Sequence, residues 1–212
     1  LQFSGVIKLA DTGIPYPIYV FSGTLLWQIF TEALSSPIQQ INASKGVLSK
    51  LNFPREAILL SGIYKVLFNA LIKVIILIPI VFLFDIIPDW KIILFPLAVL
   101  SMILVGFTIG LMLAPIGSLY TDIGRLIPMG AQFLMYLSPV VYAIPKAGIG
   151  ATLFKWNFTT PLLMTARDFL TAGNLEWINY FLIVNGIALV VLLFAWFVFK
   201  ITMPVIIERM SA

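Results

Sequence analysis

Apolar residues in this chain come in long unbroken runs separated by short polar clusters, instead of alternating with polar ones. The clearest run is Ile58–Phe84, and about 20 apolar residues in a helix suffice to cross the roughly 30 Å hydrocarbon core of a bilayer. By the same pattern Ile92–Gly117, Leu126–Ile144 and Trp177–Lys200 read as spans, with the more mixed Ile18–Ser35 as the first complete one. The pattern predicts an all-α membrane protein, a single transmembrane domain over residues 1–212.

The breaks are as readable as the runs. Asp11 to Pro17 holds a Gly and two prolines and interrupts any helix. Ser36–Glu56 is polar, with Gln39, Gln40, Asn42, Ser44, Lys45 and Lys50, and Pro54 before Arg55-Glu56 predicts the next helix start. Asp85–Lys91, containing Pro88, and Ser118–Arg125 read as turns, whereas 145–176 is too polar and too broken by Gly and Pro to span. The opening Leu1-Gln2-Phe3 looks like the tail of a helix, so a fragment of a longer chain is expected. Lys and Arg near span ends favour the cytoplasmic side, which places 36–56 and the C-terminus there and 145–176 outside.

Composition narrows the chemistry. The chain is 61% hydrophobic and 10% charged over 212 residues, against about 25% charged in a soluble domain. It has no Cys and no His, which removes thiolate nucleophiles, disulfides, the usual zinc sites and the commonest general base. No catalytic residue and no metal site is expected. The net charge of +4 comes from scattered residues; this points to anionic lipid as a partner and away from nucleic acid. No phosphate loop of the Gly-x-x-x-x-Gly-Lys-[Ser/Thr] type occurs, so any energy from ATP must enter through another polypeptide.

Several side chains stand out. Tyr16, Tyr19, Gly23, Trp27 and Phe30 recur at steps of three and four along one helical face, either packing or forming an aromatic track for sugar rings; Tyr136 and Tyr142 pose the same choice. Gly106, Gly110, Ala114 and Ser118 form a small-residue stripe suited to close helix packing, within the bundle or across a dimer seam. Lys65, Asn69 and Lys73 make a polar edge on an apolar helix, expensive at that depth and so facing protein or water. Lys65 is placed to snorkel or to pair with Glu32, while Lys73 lies too deep to escape easily and is either a path residue or half of a buried pair. Asp85 and Asp89 read as solvated or capping groups. Trp156, Phe158, Pro161 and Arg167-Asp168 sit in the apolar outer segment, where non-helical backbone needs cover from protein or water.

In motif order, Gly13-Ile14-Pro15-Tyr16-Pro17 through Trp27, Leu51-Asn52-Phe53-Pro54-Arg55-Glu56, Tyr120-Thr121-Asp122-Ile123, Leu137-Ser138-Pro139-Val140-Val141-Tyr142 and Asn157-Phe158-Thr159-Thr160-Pro161-Leu162 with Arg167 resemble the membrane subunit of type 2 ATP-binding-cassette exporters. The similarity is to the branch that exports O-antigen, capsule and teichoic acid chains. Two departures are Phe158, where the family has Pro after Asn, and Thr121, where it often has Arg.

The resemblance implies a six-helix permease bundle, its first helix mostly missing here, with a re-entrant helical hairpin before the last helix. It implies a cytoplasmic coupling loop at 36–56, with Asn42, Ser44, Lys45, Lys50 and Arg55 toward an ATPase. Tyr19, Trp27, Phe30, Lys73, Tyr136 and Tyr142 would line the substrate path, and Trp156, Asn157, Pro161 and Arg167 an outer gate. The implied partners are an ABC ATPase subunit carrying ATP and Mg, a second permease copy forming a homodimer, and a lipid-linked polysaccharide. The implied location is the cytoplasmic membrane of a bacterium or archaeon, crossed several times. A type 2 exporter of a drug or small lipid is the nearest alternative; an ion-coupled secondary transporter, for which Glu32 would be the carboxylate, or a membrane scaffold is more remote.

Overall fold

Small residues decide which helices lie together. In α4 (Phe95–Leu119), a Cβ added at Gly106 would lie 2.6 Å from the Phe30 carbonyl, and one at Gly110 would collide with that of Leu34. Ala114 of the same stripe is fully buried. The stripe therefore seats α1 (Tyr16–Ala43) of the same chain, and α1–α4 is the most extensive helix pair in the structure. The computed structural model describes residues 14–48, 55–86, 89–144 and 148–211.

Around this pair the remaining elements follow in order: α2 (Lys45–Leu48), α3 (Arg55–Leu83), a 3-10 turn at Trp90–Leu94, α5 (Thr121–Tyr136), α6 (Ile149–Trp156), α7 (Thr159–Thr171) and α8 (Ile178–Ser211). α3 flanks α1, α8 flanks α4, α5 leans on both central helices, and α7 packs on α4, α8, α1 and the 3-10 turn. No strand occurs among the described residues. Glu56–Leu83, Trp90–Leu119 and Ile178–Pro204 are long and apolar enough to cross a bilayer, so the chain is a multi-pass membrane protein. Exposed Phe68 on α3 and Leu193 on α8 belong to the lipid-facing flanks.

Three boundaries differ from the expectation. The first helix does not stop at Ser35: it runs 28 residues to Ala43, about 42 Å at 1.5 Å per residue, so the predicted connector begins as helix over 36–43. Its polar face is sheltered by α3 and α4, which is why a window of apolar residues underestimates it. The turn predicted at 118–125 shrinks to Tyr120, which ends α4 and precedes α5. The span predicted at 126–144 is instead the 16-residue α5, roughly 24 Å long and shorter than a bilayer core. It ends because Pro139 has no N–H to continue the ladder, while Ser138 turns its hydroxyl back to the Leu134 carbonyl at 2.7 Å.

Asp89 caps the 3-10 turn by accepting from the Trp90 N–H at 2.7 Å, the capping role expected of it.

Candidate functional site

Two polar centres interrupt the apolar bundle. The first forms where α5 ends. The chain just past α5 leaves backbone carbonyls outside any helix ladder, and two side chains from the following segment donate to those of Leu137, Pro139 and Val140. Arg167 on α7 is 2% exposed. Its Nη1 donates to the Pro139 carbonyl at 2.6 Å, and its Nη2 to those of Val140 at 2.7 Å and Tyr19 at 3.0 Å. The guanidinium also lies 3.6 Å over the Tyr19 ring, a cation–π contact, and the Tyr19 hydroxyl donates to Pro139 and Tyr142 carbonyls. Burial lowers the Arg167 pKa to about 10, which leaves it charged at neutral pH.

Asn157 completes this outer junction. Its Nδ2 donates to the Leu137 carbonyl at 2.8 Å and the Ser138 hydroxyl at 3.0 Å, while its Oδ1 accepts from the Thr159 N–H at 3.0 Å. Ser138 and Thr159 share a buried hydroxyl contact at 2.7 Å. One amide thus ties the end of α5 to the start of α7. Pro161 is buried in the first turn of α7, whereas Trp156 is 87% exposed at the end of α6. The departure at Phe158 leaves the backbone as a proline would set it: φ is −62° there, inside proline's range, and Asn157 before it is extended, as pre-proline residues are.

The second centre lies deep between α1 and α3. Lys73 forms an ion pair and hydrogen bond with Glu32, and Asn69 Nδ2 donates to the other Glu32 oxygen at 3.3 Å. Lys65 was expected to snorkel or to pair with Glu32, and Lys73 to line the path or form half of a buried pair; the structure pairs Glu32 with Lys73. The helices are antiparallel and meet closely at Gly62, where a Cβ would approach Ser36 and Gln40, and Asn69 and Lys73 both reach Glu32 across them. Lys65, two turns nearer Arg55, is exposed beside a cavity of about 370 Å³ whose lining includes Glu32, Gln39, Gln40, Lys65 and Asn69.

The other candidates fall as follows. Tyr19, Trp27 and Phe30 are buried inside the chain, Trp27 and Phe30 with ring centroids 5.1 Å apart, so the packing alternative accounts for their spacing. Tyr136 is exposed, and Tyr142 meets Phe154 edge-on at 5.8 Å. Of the coupling candidates, Lys45 is engaged within the chain, its Nζ donating to the Ser118 carbonyl at the C-terminus of α4 at 3.0 Å. Asn42 and Ser44 are half-buried at the end of α1, where Ser44 caps the helix through its N–H. Lys50 lies outside the described residues, as does the side chain of Arg55.

Sequence reasoning missed Ser138, Thr159 and the reason for Gly23. A Cβ on Gly23 would strike Arg167 and the Val140 carbonyl. A lone Gly within an aromatic face was the available signal that another polar group approaches there.

Residues 3–169 match the family described as ABC-2 type transporter. The O-antigen export system permease protein RfbA of Myxococcus xanthus is 22% identical over 129 residues, covering 61% of this chain and 50% of that protein. The chain spans about half the length of this curated relative.

Proposed function

We propose, from the premise that the chain belongs to the ABC-2 type transporter family, that it is the transmembrane part of an ATP-driven exporter of a lipid-linked polysaccharide of the O-antigen, capsule or teichoic acid type. The observation that carries the reading is the extent of the family match, which runs from before α1 into α7 and takes in both polar centres. The polymer class draws its support from the name of the Myxococcus relative and from the motif order described above.

In this reading a separate ATPase subunit binds ATP and Mg, and two permease copies form the path in the cytoplasmic membrane. The segment after α1, with Asn42 and Ser44 and on to Lys50 and Arg55, meets the ATPase. Motion there reaches the bilayer through α1, which is one uninterrupted helix from the polar connector to the outer junction. α6 and α7 act as the outer gate, with Arg167 and Asn157 as its fixed attachment to α5.

The test is purification of the full-length protein from native membranes in mild detergent. An ATPase at equal copy number, together with polymer accumulating inside cells that lack the permease, is the expected result. Reproducible absence of any ATPase from a folded, monodisperse permease would overturn the reading.

A further inference from the structure

α3 spans Arg55–Leu83, so Asn69 is its midpoint, and at 1.5 Å per residue Lys65 and Lys73 lie only about 6 Å to either side. Charge this near the middle of a membrane helix is costly and is retained where it meets protein, water or a ligand. Lys73 meets protein, in Glu32. Lys65 does not: among the described residues no carboxylate lies within ion-pair distance of it, and it stands at the rim of the 370 Å³ cavity, with Gln39, Gln40 and Asn69 presenting amide groups to the same space. Pro128 of α5 is part of the lining, so three helices shape the cleft. A larger cavity between α3, α4 and α8, about 570 Å³, is lined almost wholly by apolar side chains and offers nothing to a charged group, and one of about 560 Å³ beside Arg167 and Asp168 adjoins the junction already described.

The charge count identifies what would fit. Lys65 and Lys73 against Glu32 leave one positive charge, and the amides of Gln39 and Gln40 can donate to an anion's oxygens. A singly charged phosphodiester brings the set to neutrality and takes those donors. We propose that this cleft binds the phosphate-bearing headgroup of a membrane lipid or lipid-linked substrate, with Lys65 as the primary cation at its rim and Lys73 holding Glu32 behind it. That the bound lipid is cargo rests on the export reading; that the cleft takes a phosphate does not.

The experiment uses full-length protein in nanodiscs of phosphatidylcholine doped with a phosphatidylglycerol probe carrying a photoreactive group beside its phosphate. A diacylglycerol probe with the same photoreactive group and no phosphate is the control, and adducts are located by peptide mass spectrometry. Expected is labelling on α1 around 31–40 and α3 around 65–69, at least fivefold above the control. It should fall at least fivefold in Lys65→Gln and persist in Lys65→Arg. Millimolar inorganic phosphate should leave the labelling intact, which assigns the site to lipid; displacement by it would support the phosphate site while assigning it to a soluble anion. Equal labelling by both probes, no labelling of this cleft in folded protein, or crosslinking of Lys65 to a second copy of the chain would overturn the proposal. None of these readouts needs an ATPase or transport, so failure here and failure of the export reading are separable.

Discussion

The two polar centres carry charge into the bundle in opposite ways. At the outer junction a single cation, Arg167, has no carboxylate bonded to it among the described residues, and three backbone carbonyls and a tyrosine face surround it. In the inner cleft Lys73 and Glu32 are paired between side chains while Lys65 stands apart, Glu32 keeps 38% of its side chain exposed and an open cavity adjoins it. Backbone carbonyls are fixed by the helices and cannot be exchanged without moving them. Side-chain partners on two helices can be traded for a ligand's. The difference separates a joint that must hold from a site that is able to change hands.

The sharpest way to break this comparison is at Arg167. Arg167→Met should cost about 3–5 kcal/mol, because each buried carbonyl left without a donor costs about 1–3 kcal/mol. Arg167→Lys should recover only part, since one ammonium lacks the fork that reaches Pro139, Val140 and Tyr19 together. Thermal unfolding of the detergent-solubilised protein reads both. A loss in Arg167→Met no larger than that of an exposed residue such as Trp156→Ala would refute the idea that the junction is a joint.

The inner centre should behave differently under a double-mutant cycle. Lys73→Leu alone leaves the Glu32 carboxylate without its ion-pair partner and should lower stability by about 1–2 kcal/mol, less than a fully buried pair because Glu32 is partly wet. Adding Glu32→Leu should restore stability to within about 1 kcal/mol of the parent, since replacing both partners is often neutral. Export, measured as polymer reaching the cell surface, should stay lost in the double variant. Recovery of both stability and export together would make the pair purely structural.

A smaller effect distinguishes the outer region by pH. Burial raises the Asp168 pKa from 3.8 to about 6, with the Leu175 N–H acting against it. The folded form therefore binds its proton more tightly than the unfolded form, so this residue's contribution falls as pH rises from about 4 to about 6 and then stays level. Asp168→Asn should flatten the melting temperature over that interval relative to the parent and raise it slightly above pH 6. An unchanged slope would mean that Asp168 is as wet as an ordinary carboxylate.

How far these centres were legible in the sequence depends on what holds them. The apolar runs marked α3, α4 and α8, because their outer faces meet lipid and need no partner to explain them. The Gly106–Gly110–Ala114 spacing marked a close helix contact, and it is α1 that fills it. α1 itself was cut short, since its polar face reads as connector unless the sheltering helices are known. Lys73 was singled out by depth, but its pairing with Glu32 required the relative register of two helices, which no local pattern contains. Arg167 was noted as a charge in an apolar outer segment, and a gate role was given to it through family resemblance, but its partners were not foreseen. Its bonds go to backbone carbonyls, and carbonyls carry no residue identity for a sequence to display.

The smallest effect tests whether the joint lies in the backbone or in the side chain at its bend. Phe158 has φ −62° and follows an extended Asn157 with ψ 118°, so Phe158→Pro asks for no change of backbone. The ring it removes is 36% exposed, and among the described residues its aromatic contact is a loose one with Phe30, at a centroid distance of 6.4 Å. Proline also narrows the unfolded ensemble, a gain of about 0.4–1 kcal/mol at a compatible site, which offsets the lost packing. The variant should therefore stay within about 1 kcal/mol of the parent, whereas Asn157→Ala beside it, losing the bonds to Leu137, Ser138 and Thr159, should cost about 1–2 kcal/mol. Reversal of that order would place the joint in the aromatic contact instead of in the amide, and Arg167 would then be holding a bend whose shape is set by packing.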